Sequence, residues 1–259
     1  MRHVLAVISL FSAVTMVATS AHASGMFPKG NGNKANGEKI FQQGKGDVPA
    51  CLSCHGEDGS GNDDLGTPAI AGQGFSFLRK QLEDFATDRR QDTTMFVMNA
   101  NAKGLTPEDR DDVATYLTSR KGGFKGSDLD ELKKGGSVEV GMVYKGKALV
   151  EYGSPVRNDG FPKELGSKGA GVPACKSCHD FAGRGAPPVY PQIGQQRYVY
   201  LVNQLKKWRD GSRANDPKGQ MQAVARKLSD DDIHNAAAYL TNASPYTVGN
   251  TRTPYDHAH

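Results

Sequence analysis

Cys51-Leu52-Ser53-Cys54-His55 and Cys175-Lys176-Ser177-Cys178-His179 hold all four cysteines of this 259-residue chain, and both read C-x-x-C-H. In an exported chain such thiols could form disulfides, a thiol redox pair or half of a zinc site. The adjoining histidine separates these readings. Covalent haem attachment needs two thiols spaced to meet two vinyl groups, with an imidazole on the same turn beneath the iron. A zinc site would leave the match between His55 and His179 unexplained. The pair predicts two covalently bound haem c groups, attached through Cys51, Cys54, Cys175 and Cys178, with His55 and His179 as iron ligands.

The repetition extends beyond the pentapeptides. Val48-Pro49-Ala50-Cys51 recurs as Val172-Pro173-Ala174-Cys175. A shift of 123–124 residues then pairs Pro68 with Pro191, Gln81-Leu82 with Gln204-Leu205, Leu105 with Leu228 and Tyr116-Leu117 with Tyr239-Leu240. Self-similarity at this length means two copies of one haem domain. The predicted organisation is a first domain over residues 24–121, a Gly- and Lys-rich linker over 122–140 and a second domain over 141–259. The second copy carries 15 extra residues within 155–171, whose Gly, Pro and Lys content reads as a surface loop, and a C-terminal tail.

Within each copy the pattern is helical. Gly37 and Gly146 open short segments ahead of the haem motifs. Over residues 75–85 and 198–208 apolar side chains recur every three and four residues, the period of an amphipathic helix. Thr106 and Ser229 are good N-caps, each followed by acidic residues suited to the positive end of a helix dipole. No useful run alternates as a strand would, so the fold class is all-α: two tandem domains, each wrapped around one haem.

Residues 1–23 stand apart. Arg2 provides a positive start, residues 4–17 are almost uninterruptedly apolar, and Ala21-His22-Ala23 supplies a small-x-small cleavage pattern. The apolar run is shorter than the roughly 20 residues of a membrane span. The expectation is a cleaved signal peptide and a periplasmic mature protein without stable membrane insertion. Mean hydropathy is -0.56 and aromatic residues are 8%, so the chain is polar and short of large side chains for a core, a gap that a bulky cofactor would fill. Residues 24–121 carry 12 basic and 14 acidic side chains and residues 141–259 carry 16 and 10, so the halves differ in sign without an excess that would suggest nucleic acid. Lys206 and Lys207 are candidate steering charges.

The ligand opposite each histidine decides between electron carriage and chemistry at an open iron. Met98 lies seven residues before Leu105 and Met221 seven before Leu228, and each follows an arginine, Arg90 or Arg213, by eight. Met95 competes nearby, but Lys218 stands at its equivalent. The predicted iron ligands are therefore His55 with Met98 and His179 with Met221. His234 is matched by Asp111, and His257 and His259 in the tail have no assigned role.

As a set, these features resemble the cytochrome c4 family, diheme proteins built from two class I cytochrome c domains. The resemblance covers most of residues 34–242 and rests on V-P-A-C-x-x-C-H in both halves, Pro68 and Pro191, the Q-L helices, Met98 and Met221, and the closing A-x-Y-L segments. It implies that Pro68 and Pro191 offer carbonyls to the histidine Nδ1 protons, and that the haems face each other across a domain interface. The 15-residue insertion and long tail depart from a compact member.

The expected function is single-electron transport between respiratory-chain components, toward a terminal oxidase, with redox proteins (an oxidase, reductase or dehydrogenase) as partners and no catalytic residues. Two alternatives stand beside it: the cytochrome subunit of a periplasmic dehydrogenase oxidising sulfide or an alcohol, and a diheme peroxidase-type enzyme. Two C-x-x-C-H motifs predict two haems per chain surviving denaturation, and haem staining with intact mass measurement checks this; a single haem would overturn the reading.

Overall fold

The computed structural model describes residues 32–154 and 171–244. The leader over 1–23, residues 155–170 of the insertion and the tail beyond 244 lie outside the described residues.

The first half contains α1 (Lys34–Gln43), the single-turn α2 (Leu52–His55), α3 (Phe75–Ala86), α4 (Met98–Lys103) and α5 (Pro107–Ser119). After α6 (Leu129–Lys134), the order repeats as α7 (Val143–Tyr152), α8 (Lys176–His179), α9 (Tyr198–Asp210), α10 (Gln220–Ala225) and α11 (Asp230–Asn242). Among the described residues, extended pairing is limited to isolated bridges such as Lys45 with Val48 and Ser154 with Val172. The all-α reading holds. Helices α1 and α7 start three residues before Gly37 and Gly146, because Asn33 caps α1 by accepting from Ala35 and Asn36 N–H, and Met142 occupies the cap position of α7. Thr106 and Ser229 each form a full capping box, with Asp109 and Asp232 as reciprocal partners.

Each half has its own core. Ile40, Phe41, Leu78, Val113, Tyr116 and Leu117 close the first, and Val150, Tyr198, Leu201, Ile233, Tyr239 and Leu240 the second. In both, the opening helix lies directly on the closing helix. A Cβ on Gly37 would fall 2.1 Å from Asp112 O, and one on Gly146 1.8 Å from Asn235 O. Glycine here is a packing requirement that lets α1 cross α5, and α7 cross α11, backbone to backbone. The stretch expected to be a linker is ordered: Phe124 is buried, Gly126 N–H donates to Gln195 O at 2.8 Å, and Leu129 of α6 joins the second core.

The halves meet in a joint that repeats itself under the 123-residue shift. The Gln73 side chain spans the backbone of Gln192, donating to its carbonyl at 2.9 Å and accepting from its N–H at 3.1 Å. The equivalent Gln196 does the same to Ala69, at 2.9 and 2.7 Å. Each half thus gives one amide side chain and receives one, as in an isologous contact between two copies. Arg197 adds a one-sided clasp, donating from Nε to Ser60 O at 2.7 Å and from Nη1 to Gly126 O at 3.0 Å.

Gly37→Ala and Gly146→Ala should each cost more than about 3 kcal/mol, since backbone must separate from backbone. Thermal unfolding checks this against Gly46→Ala, where a Cβ meets nothing within 4 Å and the loss comes only from the backbone φ of +57° and should stay near 1 kcal/mol.

Candidate functional site

The haem motifs fold as one helical turn each. Cys51 and Cys175 precede the turn, Cys54 and Cys178 lie within it, and His55 and His179 end it. None of the four thiols is in a disulfide. Burial pushes the Cys51 and Cys175 thiols up to about 11.

Both histidines are buried, and each ring is fixed from behind. His55 Nδ1 donates to Pro68 O at 3.0 Å and His179 Nδ1 donates to Pro191 O at 2.9 Å. This is the contact the family resemblance implies. It fixes the tautomer and leaves the Nε2 lone pair to face an iron. Burial lowers the pKa of both imidazoles, with the proline carbonyls opposing, so the neutral, ligating form is favoured.

The methionines expected opposite the histidines lie in two segments built around aspartates that have no counterpart among the sequence motifs. Asp92 Oδ1 accepts from Thr94 N–H at 2.9 Å and Met95 N–H at 3.3 Å, and its Oδ2 from Val97 N–H at 3.1 Å and Met98 N–H at 3.3 Å. Burial opposes ionisation of Asp92, but these amides together hold its carboxyl below its ordinary value. Asp216 plays the same part in the second loop, with Oδ2 2.6 Å from Met221 N. Met98 begins α4, and Met221 is the second residue of α10. Met95 and Met98 are both half-buried in one loop. Two residues before each matched methionine the chain turns left-handed, at Phe96 (φ +61°) and Gly219 (φ +67°). The only signal for the aspartates was their place five or six residues ahead of a repeated methionine.

Between the loops lies a buried cationic centre. Arg90 Nη1 donates to Gln81 Oε1 at 2.7 Å and its Nη2 to Gln204 Oε1 at 2.9 Å. Arg213 mirrors it, donating to Gln204 Oε1 at 2.7 Å and Gln81 Oε1 at 3.1 Å. Each guanidinium stacks on an aromatic ring of its own half, Arg90 on Phe85 at 4.5 Å and Arg213 on Trp208 at 4.2 Å. Burial, then the Arg90 charge, brings the Arg213 pKa down to about 9. Tyr200 is also drawn in, accepting from Arg90 Nη2 at 3.1 Å; burial raises its pKa, but the two arginines outweigh this and lower it. Two buried guanidiniums bonded to neutral oxygens suit an anionic ligand. Haem propionates are such anions, so the donor set fits the haems that the cysteine motifs demand.

Lys207, a candidate steering charge, is half-buried, and its Nζ donates to the exposed Thr94 Oγ1 of the other half at 2.5 Å.

The cytochrome c family model matches residues 34–121 and 164–244, once in each half. The thiosulfate dehydrogenase electron acceptor of Stutzerimonas stutzeri (strain A1501) is 32% identical over 83% of this chain and 89% of its own. Cytochrome c4 of Pseudomonas aeruginosa is 31% identical over 76% of this chain and 85% of its own. The crystal structure of reduced cytochrome c4 from Pseudomonas stutzeri superposes with a TM-score of 0.63 at 27% identity, covering 82% of this chain and all of that one. With two tandem haem domains, two histidines held by proline carbonyls and relatives of this length, the chain belongs to the cytochrome c4 family of diheme, electron-transferring c-type cytochromes.

Proposed function

We propose that this protein is a periplasmic carrier that accepts single electrons from a dehydrogenase and passes them to a respiratory acceptor without transforming a small substrate. The observation that carries the reading is the matched pair of loops that bring Met98 and Met221 to equivalent positions, each pinned through its own N–H to an aspartate. Bound haem would supply the one-electron iron chemistry, and Met98 and Met221, together with His55 and His179, would hold the iron and favour its reduced form. Cys51, Cys54, Cys175 and Cys178 would hold the two macrocycles as thioethers, and His55 and His179 would bind iron through Nε2. Asp92 and Asp216 keep the methionine loops from rearranging. Arg90 and Arg213 would neutralise propionates in the joint. With Met98 and Met221 closing both irons and all four cysteines consumed in attachment, neither an open iron nor a free thiol would remain to activate peroxide or to carry a sulfur substrate.

A dehydrogenase as donor is favoured by the resemblance to the thiosulfate dehydrogenase electron acceptor. No helix among the described residues is long and apolar enough to cross a membrane. This accords with a protein that meets its partners by diffusion. The difference in charge between the two halves would present them with faces of opposite sign.

Met98→Ala should abolish the sulfur-to-iron absorption band of one haem, Met221→Ala that of the other, and Met95→Ala neither, read by optical spectra of the ferric protein. Loss of a band in Met95→Ala would move the first ligand to that residue. In stopped-flow mixing, a purified periplasmic thiosulfate dehydrogenase with its substrate should reduce both haems, with a rate that falls as salt rises and screening shortens to about 8 Å at physiological ionic strength. Peroxide alone should be consumed no faster than by free buffer. Rapid peroxide turnover, with one haem binding carbon monoxide at once, would replace the carrier reading by an enzyme.

A further inference from the structure

The joint is symmetric in its glutamines and arginines but not in charge. Positions 84 and 207 are equivalent under the 123-residue shift, and both lie in the last turn of a middle helix, α3 or α9. One is an aspartate and the other a lysine. Asp84 is almost wholly buried, and its Oδ2 accepts from Asn215 Nδ2 of the other half at 2.6 Å. One turn earlier, Lys80 pairs with Asp84 and also donates to Asn215 O at 2.7 Å, while Arg89 Nε donates to Asp84 Oδ1 at 2.9 Å. Asn215 adjoins Asp216, the aspartate that accepts from Met221 N–H.

On the opposite side the arrangement recurs with the sign reversed. Lys207 Nζ donates to Thr94 Oγ1, Thr94 N–H donates to Asp92 Oδ1, and Asp92 Oδ2 accepts from Met98 N–H. Each middle helix therefore reaches past its own domain to the methionine loop of the other. The braces are crossed, and the equivalent residues at their centres, Asp84 and Lys207, differ in sign.

We propose that Asp84 and Lys207 are positioning residues acting in trans: each braces the methionine loop of the other domain, and their opposite charges help separate the two haem potentials. The proposal rests on Met98 and Met221 being the iron ligands. A cation beside the Met98 loop disfavours the more positive ferric state and raises that haem's potential. The Asp84 carboxylate by itself favours the ferric state and lowers the other potential, while Lys80 and Arg89, both paired to it, leave the cluster as a whole net positive. Tuning each haem from the neighbouring domain also makes both potentials sensitive to how the domains sit on one another.

The test uses the full holoprotein in proton NMR of the reduced state, where the ring current of haem moves the methyl group of a ligating methionine far upfield. Met98→Ala and Met221→Ala assign the two signals, and spectroelectrochemical titration gives the two potentials. Lys207→Gln should displace the Met98 methyl signal and lower the potential of that haem, leaving the Met221 signal in place. Thr94→Val should shift the same signal, with no further shift when combined with Lys207→Gln, and Lys207→Arg should restore the native spectrum. Asp84→Asn should displace the Met221 signal and raise its haem's potential. Lys80→Met, which removes the second contact to Asn215, should move the same signal and serves if Asp84→Asn does not fold. Changes confined to the haem of the mutated domain, equal changes in both, or no change in either would overturn the proposal. Absence of an upfield methionine signal from the unmodified protein would instead overturn the ligand assignment.

Discussion

Two guanidiniums share the same two acceptors at the centre of the joint, and the arrangement of the molecule follows from keeping them there. Gln204 Oε1 accepts hydrogen bonds from Arg90 at 2.9 Å and from Arg213 at 2.7 Å, so the two cations face each other at close range. At an effective dielectric near 20 and a separation of about 5–6 Å, like charges repel by roughly 3 kcal/mol. Four hydrogen bonds to Gln81 and Gln204 and two aromatic faces offset part of this. Anionic propionates would offset the rest. Binding of haem and docking of the domains are thus coupled through one electrostatic centre, and neither domain completes that centre by itself.

This coupling accounts for where symmetry is kept and where it lapses. Gln73 and Gln196, Gln81 and Gln204, and Arg90 and Arg213 act in equivalent pairs, and changing one member would leave a partner unpaired in a buried place. Beside them, Phe77 is matched by Tyr200, Asp84 by Lys207 and Phe96 by Gly219. These differences fall around the methionine loops. The two halves carry histidine and methionine at equivalent positions and differ in the side chains around them.

Much of this was legible in the sequence because the repeat provides an internal comparison. The shift that matched Pro68 with Pro191 also selected Met98 over Met95 and marked Arg90 and Arg213, although only as spacers. Capping residues Thr106 and Ser229 gave the closing helices their starts. What escaped notice lay in contacts that join distant segments. Asp92 looked like one acidic residue among many, because its four amide partners come into range only when the loop closes around it. The bond from Lys207 could not be read locally either, because nothing nearby in sequence says that Thr94, over a hundred residues away, will meet it. Residues 122–140 looked like a spacer by their glycines, yet Phe124 and Leu129 are buried. Composition reports average polarity, not where two apolar side chains in a polar stretch will land.

An electron carrier differs from an enzyme in needing its iron surroundings to change little between oxidation states. Both halves offer the same means: a proline carbonyl accepts from the histidine Nδ1, and an aspartate accepts from the methionine N–H, so that each proposed ligand is held by a neighbour. A left-handed residue two places before each methionine tightens the loop further, and at Phe96 the chain accepts this conformation without glycine, at a cost of about 1–2 kcal/mol. Strain kept beside a ligand on an exposed loop, with the rest of the loop locked by Asp92, favours a fixed coordination sphere over an adaptable one. The same rigidity that slows entry of an outside ligand lets an electron arrive and leave with little rearrangement. With Met98 and Met221 on the irons, exclusion of chemistry and speed of transfer would be one property of the two methionine loops.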